Sequence, residues 1–152
     1  MSSGIPLHDL LGLTFERPER GSTAASVRMP VAPPAFGSTA NLHGGAIATL
    51  VDLACALAAA RATDFDPALE SLVTSDMHVR YLGVPRSAEV VARAEVQRVG
   101  RQVILVACGV TATGAEPAGR DRLIALADFS LMRVPLRRPL GVPPDPTDGD
   151  AP

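Results

Sequence analysis

The chain has 152 residues, of which 47% are apolar, and a net charge of -2 at pH 7. This length suits one domain with a buried core, and the near-neutral charge gives no electrostatic basis for binding nucleic acid. All 14 basic residues are arginine. Schiff-base lysine chemistry and a phosphate-binding loop that ends in Gly-Lys are therefore excluded.

The first half of the chain predicts short elements followed by one long helix. Residues 5–12 suit a short helix that ends at a glycine, and 13–16 and 22–29 suit two strands. Residues 30–42 are rich in proline, glycine, serine and threonine, which predicts a loop long enough to carry function. From 43 to 61 apolar residues recur at spacings of three and four on several faces, which predicts a helix buried nearly all round.

The second half is predicted to be mostly strands, after a loop at 62–70. Strands are expected at 71–82, 87–99, 101–113 and 121–134. Their connections are too short for helical crossovers, so they should pair antiparallel. Residues 135–152 are rich in proline and acidic residues and are expected to form a disordered tail.

Period-two alternation assigns side chains to the two faces of these strands. In the strand at 71–82, one face is expected to carry Val73, Ser75, Met77, Val79 and Tyr81, and the other Leu72, Thr74, Asp76, His78 and Arg80. In the last strand, one face is expected to carry Leu123, Ala125, Ala127, Phe129 and Leu131. Thr74 and Tyr81 are thus predicted to lie on opposite faces.

A single long apolar helix can leave water only if a sheet wraps around it. The predicted elements therefore indicate an α+β protein with the hotdog fold: a long central helix wrapped by a five- to six-stranded antiparallel sheet. Residues 1–134 are expected to form this single domain.

Two features bear on the compartment. Cys55 and Cys108 lie in apolar surroundings without Cys-x-x-Cys spacing, which favours buried free thiols, as in a reducing cytosol, over metal ligands or a disulfide. The N-terminus lacks the pattern of a signal peptide. The alanine-rich segment 46–60 contains Asp52 and is expected to be too short and too weakly apolar to span a bilayer. We expect a cytoplasmic protein with no metal, no cofactor and no membrane partner.

Gly44 and Gly45 open the predicted helix. First-turn N–H groups have no intrahelical partner and carry the positive end of the helix dipole, which suits an oxyanion or a polarised carbonyl. The Gly44 N–H is the candidate donor. Alternatively, the two glycines only permit the helix to pack closely on the sheet.

Asp52 is the only charged residue between Gly44 and Ala60. A carboxylate is costly to bury in so apolar a helix unless something uses or satisfies it. It is a candidate catalytic group, unless it emerges at an edge or pairs with Arg61 or another arginine. Gly44 and Asp52 are separated by about 12 Å along a helix. If both act on one carbonyl, Asp52 must come from a partner chain, and the active protein must be a dimer.

These residues match a known family. His-Gly-Gly at 43–45, followed by Thr-Leu-Val-Asp at 49–52, resembles the hotdog thioesterases of the phenylacetate-degradation (PaaI) type. Thr-Ser-Asp-Met-His-Val-Arg-Tyr-Leu at 74–82 resembles the strand that follows the helix in that family. The resemblance covers about residues 7–134. It implies hydrolysis of acyl-CoA thioesters by a homodimer or a dimer of dimers.

The resemblance also implies roles for single residues. The Gly44 N–H would polarise the thioester carbonyl, and Asp52 of the other subunit would act as general base on water or as nucleophile. Thr74 would help to position the water, unless it is an ordinary strand threonine. His43 more often shapes the turn at the helix start in this family than it acts as an acid or base.

One position departs from the family pattern. Many members have an asparagine six residues before the histidine, near the reacting carbonyl, and here that position is Gly37. Asn41 or Ser38 could replace it, although Asn41 also suits a cap or turn at the helix entry.

Substrate binding is assigned to three residues: Gly45 beside the carbonyl, and Arg80 and Arg133 as cations for the phosphates of CoA. Arg137 and Arg138 are further candidates for the phosphates, although they are most simply a solvated pair.

Three other functions stay open. An acyl-CoA-binding hotdog protein without turnover is favoured by Gly37. An enoyl-CoA hydratase or dehydratase would use His43 and Asp52 as an acid–base pair across subunits. A purely structural dimer module would leave Asp52 unexplained.

Overall fold

The computed structural model describes residues 3–116 and 119–136, which form a curled sheet around one long helix. The helices are α1 (Pro6–Leu10) and α2 (Gly44–Ala62); the strands are β1 (Thr14–Phe15), β2 (Ala24–Pro30), β3 (Glu70–Tyr81), β4 (Glu89–Val99), β5 (Val103–Glu116) and β6 (Arg120–Pro135). The sheet order is β1-β2-β4-β5-β6-β3, with every pair antiparallel. The predicted hotdog fold is confirmed.

The core lies between α2 and the concave face of the sheet. Helix α2 packs chiefly against β2, β4 and β5. Its residues Leu50, Val51 and Ala54 are fully buried, as are Val27 of β2 and Ile104 of β5. Apolar side chains at helical spacing thus meet apolar side chains at strand spacing, which is the pattern that fixes this architecture.

The prediction that α2 is buried nearly all round is wrong for a single chain. Nine of its 19 residues are buried, but one side keeps Gly45 exposed and leaves Ala48, Thr49, Asp52 and Ala56 partly exposed. Among the described strands the sheet ends at β3, most of whose residues are exposed. Strand β3 reaches this side only at its margin, where Thr74 contacts Asp52. We call these five residues the open side of α2.

Helix α2 also corrects the expectation about membrane-spanning length. It has 19 residues and a mean hydropathy of 1.5, enough to cross a bilayer by length and composition alone, and half of the apolar window is buried. The core helix of a soluble protein meets the same criterion. The absence of a membrane partner stays a prediction.

A β-bulge at Ser75 changes which side chains of β3 face the helix. The pairing with β6 runs Thr74↔Leu131 and then Asp76↔Ser130, so Ser75 has no cross-strand partner. A bulge shifts the alternation of side chains between the two faces of the sheet by one residue. Thr74 and Tyr81 therefore both lie on the helix side, and the prediction of opposite faces is wrong.

A second irregularity moves one residue of β6. Val110 pairs with Ala125 and Thr111 with Leu123, so Ile124 is left between them. Ile124 is fully buried while Leu123 is 42% exposed. Four of the five residues predicted to share a face therefore do so, and Leu123 does not.

The predicted tail lies almost wholly outside the described residues. Strand β6 continues to Pro135, the first residue assigned to the tail. The prediction for residues 137–152, and the boundary of the domain at residue 134, stay predictions.

Candidate active site

The start of α2 is held by His43. Its Nδ1 accepts a hydrogen bond from the Gly45 N–H at 2.9 Å, which makes the imidazole the N-cap of the helix. The Gly44 N–H makes no hydrogen bond within residues 3–116 and 119–136. An unpaired donor at the positive end of a helix is ready to bind an oxygen that gains negative charge.

The two glycines are needed for different reasons. A Cβ at Gly45 would lie 2.9 Å from Nδ1 of His43, so a side chain there would displace the cap. A Cβ at Gly44 would lie 3.4 Å from Cζ and Oη of Tyr81. Close packing thus accounts for part of the glycine pair, and it leaves the Gly44 N–H available. Gly45 was assigned to substrate binding; its N–H donates to His43, and substrate binding by Gly45 stays a prediction.

Asp52 lies on the open side of α2, two turns after the free N–H. Its Oδ1 accepts a hydrogen bond from the Thr74 hydroxyl at 2.7 Å. No arginine of the described ranges forms an ion pair with it, so the alternative of pairing with Arg61 has no support. A partly exposed carboxylate with one oxygen held and the other available is suited to accept a proton from water or to attack a carbonyl.

Strand β3 contacts α2 at both of these places. Thr74 meets Asp52, and Tyr81 donates from its hydroxyl to the Gly44 carbonyl at 3.0 Å. Sequence reasoning missed Tyr81 because strict alternation placed it on the other face from Thr74. The available signal was that the chain's only tyrosine falls in the strand that resembles the family.

The loop before the helix gives Asn41 a local role. Its Nδ2 donates to the Thr39 carbonyl at 3.2 Å, and its own carbonyl accepts from the Gly37 N–H at 2.8 Å. Ala40 between them has a φ of 54°, a left-handed conformation that is costly for a residue with a Cβ. Asn41 is thus a turn residue in this structure, and the helix cap is His43. Whether Asn41 or Ser38 replaces the family asparagine stays a prediction.

An open cavity of about 320 Å³ adjoins the helix start. Its walls come from α1, the loop before α2, and the first turns of α2: Leu7, Leu11, Pro34, Ala35, Phe36, His43, Gly45, Ala46 and Thr49. The 30–42 loop supplies Pro34, Ala35 and Phe36 to this wall, and its function stays a prediction. The contribution of α1 was not predicted, because its short sequence carries no pattern specific to a binding site.

The arginines assigned to CoA phosphates pair with carboxylates, and neither lines the cavity at the helix start. Arg80 is on the outer face of the sheet, where it pairs with Asp128 at 3.2 Å. Arg133 donates through Nε and Nη2 to Glu70, and through Nη1 to Asp64 at 2.8 Å. This geometry gives Arg133 a structural role in joining β6 to the start of β3 and to the loop before it. Phosphate binding by either residue stays a prediction, and Arg137 and Arg138 lie outside the described residues.

The Arg133 network should make stability depend on pH. Hydrogen bonds and the charge of Arg133 lower the pKa values of Asp64 and Glu70. Carboxylates with a lowered folded-state pKa stabilise the fold above about pH 5, and this contribution is lost as the pH falls through the lowered values. Arg133→Gln should therefore lower the Tm by roughly 2–4 °C at pH 7 and by less at pH 3.

The measurement is thermal unfolding of both proteins at the two pH values. Arg101→Gln is a matched control, because it removes an exposed arginine for which no carboxylate partner is found in the described ranges. Equal Tm losses for Arg133→Gln at pH 7 and pH 3 would contradict the prediction.

Cys55 of α2 and Cys108 of β5 are free and buried. A side-chain hydrogen bond with Cys108, and then burial, raise the pKa of Cys55 far above the ordinary thiol value. Thiols react as thiolates, so burial together with a raised pKa makes a cysteine inert. No group of three or more potential metal ligands occurs in the part of the chain that the structure describes.

We expect the native protein to consume almost no thiol reagent within minutes, and two equivalents after unfolding in guanidinium. The check is the absorbance of an aromatic disulfide reagent with and without denaturant. Immediate reaction of two thiols in native buffer would contradict the buried arrangement.

Comparison with known proteins identifies the family. A model described as the thioesterase superfamily matches residues 39–117, and no curated protein matches. A thioesterase family protein from Silicibacter pomeroyi has a TM-score of 0.74 and 23% identity, over 86% of this chain and 90% of that one. Thioesterase HI1161 from Haemophilus influenzae has a TM-score of 0.73 and 20% identity, over 90% and 87%.

The E. coli PaaI protein from the phenylacetic acid degradation operon has a TM-score of 0.70 and 20% identity, over 86% of each chain. At these identities the structural likenesses establish the shared fold. The family model covers more than half of the chain and includes the free N–H, the cap and Asp52. The chain therefore belongs to the thioesterase superfamily.

Proposed function

We propose that this chain is an acyl-CoA thioesterase of the PaaI type, which hydrolyses an acyl-CoA thioester to the free acid and CoA. It works without a cofactor, in the cytoplasm, as a homodimer or a dimer of dimers. The observation that carries the proposal is one helix of a thioesterase-superfamily chain with an unpaired N–H at Gly44 and a partly exposed carboxylate at Asp52.

In the proposed reaction the Gly44 N–H donates to the thioester carbonyl oxygen. Asp52 of the partner subunit takes a proton from water, and the water oxygen bonds to the carbonyl carbon. The C–S bond then breaks, and the sulfur of CoA takes the proton that Asp52 removed from water, so CoA leaves as a thiol and Asp52 is again a carboxylate. If Asp52 instead attacks the carbonyl itself, water hydrolyses the resulting anhydride, and the products are the same.

If Gly44 and Asp52 act on the same carbonyl, they must come from two subunits, because both lie on one helix. Gly44 and Asp52 are two turns apart, about 12 Å, which an aspartate side chain cannot span. When two copies of one helix pack antiparallel about a two-fold axis, the numbers of any two residues that face each other add up to the same value. Gly44 meets Asp52 across such an axis if the axis passes near Ala48. Ala48 is small and lies on the open side of α2, which suits close approach of a second helix.

Strand β3 supports the same dimer. It has 12 residues and lies at the edge of the sheet, so its second edge has no strand partner among the described elements. Met77 and Tyr81, on its helix side, are 39% and 53% exposed. A second copy that pairs along this edge would extend the sheet and cover the open side of α2 in one interface.

The cavity beside the helix start supports an acyl substrate. It has about 320 Å³ and touches His43 and Gly45, next to the proposed oxyanion donor. Its remaining walls are mainly apolar, so it favours an apolar acyl group over a charged one.

Binding without turnover is the second candidate. The observation that favours it is Gly37, which has no side chain where many members of the family carry an asparagine near the carbonyl. In that case acyl-CoA would bind tightly and no thiol would be released. No contact of the described residues favours the hydratase or the structural module over these two.

The test is thiol release from a panel of short, medium, long and aromatic acyl-CoAs, with a no-substrate sample to correct for Cys55 and Cys108. Turnover of at least one substrate above the no-enzyme rate is the expected result. If every substrate binds, by calorimetry, and none is hydrolysed, the binding function replaces the proposed one.

A further inference from the structure

We propose that Tyr81 is a positioning residue for the thioester site, because it fixes the peptide group that sets the direction of the free Gly44 N–H. This inference rests on the proposed function, in which that N–H meets the thioester carbonyl. In this proposal Tyr81 acts through the backbone of Gly44.

The peptide between Gly44 and Gly45 is held at both ends. Its carbonyl accepts the ordinary helical hydrogen bond from the N–H of Ala48 and a second one from the Tyr81 hydroxyl at 3.0 Å. Its N–H donates to Nδ1 of His43 at 2.9 Å. A peptide group is planar, so two fixed ends fix its orientation.

The preceding peptide, between His43 and Gly44, is held at one end only. The His43 carbonyl accepts from the N–H groups of Ala46 and Ile47, at 3.0 and 3.2 Å. Its other end is the free Gly44 N–H. Gly44 therefore connects two peptide groups that are each held by hydrogen bonds. Its φ and ψ angles set the direction of the free Gly44 N–H.

A glycine at this connection is flexible, because glycine occupies a wide range of φ and ψ. Tyr81 restricts this backbone flexibility in two ways. Its hydroxyl holds the carbonyl, and its ring fills the place of a side chain, at 3.4 Å from the position of a Cβ on Gly44. A donor aimed in advance contributes more to a transition state than one that must reorient during the reaction.

The backbone delivers Tyr81 to this position. The bulge at Ser75 turns it to the helix side. Beyond it, the N–H groups of Leu82 and Gly83 both donate to the Ile124 carbonyl, at 2.8 and 3.3 Å. The end of β3 is thus anchored to β6 and can act as a fixed support for the helix start.

The test compares wild type with Tyr81→Phe, which keeps the ring and removes only the hydroxyl. We expect kcat to fall roughly fivefold with KM nearly unchanged, because the lost hydrogen bond acts on the donor and not on substrate binding. Amide hydrogen exchange, followed by NMR, should be faster at Gly45 in the variant. Thr111→Val is the matched control: it removes one exposed hydrogen bond, from Arg93 on the outer face of the sheet, and should change neither quantity.

The two proposals fail separately. If wild type hydrolyses no thioester, the proposed function fails, and exchange at Gly45 still decides whether Tyr81 holds the peptide. If wild type is active but Tyr81→Phe keeps its kcat and its exchange rate at Gly45, the positioning role of Tyr81 is overturned. A fall in Tm with kcat unchanged would also overturn it, since that is the effect of a purely structural contact.

Discussion

Asp52→Asn should lower kcat for acyl-CoA hydrolysis by on the order of a hundredfold or more, the cost of removing a general base. The substitution keeps the shape of the side chain and an oxygen that can accept from Thr74, whose hydroxyl lies 2.7 Å from Oδ1 of Asp52. It removes the negative charge and the proton-accepting capacity. We expect the Tm to change little, because Asp52 lies on the partly exposed open side of α2.

The assay is thiol release with the substrate that wild type turns over fastest, with Tm measured on the same samples. Thr74→Val is the companion variant, since it removes the hydroxyl beside Asp52 and leaves the carboxylate in place. A smaller loss for Thr74→Val than for Asp52→Asn is expected. Full activity of Asp52→Asn would rule out both the base and the nucleophile assignment.

Gly44→Pro should lower kcat by about 10²–10³-fold, which is the typical cost of losing one oxyanion donor. Proline removes the N–H and is well tolerated at the first position of a helix. His43, the preceding residue, has φ −66° and ψ 137°, within the range that a following proline allows. The fold should therefore survive while the donor is lost.

Gly44→Ala separates the donor from the added bulk. It places a similar Cβ at 3.4 Å from Tyr81 but retains the N–H, so a loss below about tenfold is expected. If alanine costs as much activity as proline, crowding against Tyr81 explains the result and the Gly44 N–H is not the donor.

The two inactive variants also test the shared site. When Asp52→Asn and Gly44→Pro chains are unfolded, mixed and refolded together, random pairing should restore about a quarter of wild-type activity, because half of the dimers are mixed and each keeps one intact site. Refolding each variant alone is the control. No recovery in the mixture would reject the cross-subunit arrangement.

Much of the fold is encoded in local patterns. The spacing of apolar residues in α2 and the alternation in the strands located α2 and the six strands to within a few residues, because a helix and a sheet each repeat side chains with a fixed period. The candidate groups at the start and middle of α2 could be found for a similar reason. A pair of glycines and one aspartate stand out in an otherwise apolar helix.

What sequence periodicity could not give was the bulge at Ser75. A bulge costs one unpaired residue and leaves no clear mark in composition, yet it reverses the alternation for the rest of the strand. Without it, Thr74 and Tyr81 cannot both reach α2. The exposure of one side of the helix was missed for a related reason. The sequence shows that a residue is apolar, but it does not show whether the sheet of the same chain or the surface of another chain covers it.

The unpaired edge of β3 has a consequence for solubility. About half of its 12 residues point their backbone donors and acceptors away from β6, to an edge with no strand partner among the described residues. Such an edge is a template on which other chains can add as strands. The proposed association through β3 would remove that template, so subunits that are kept apart by dilution or by an interface substitution are expected to aggregate. Pairing of two subunits along this edge would thus protect the protein against aggregation, whether or not catalysis needs two chains.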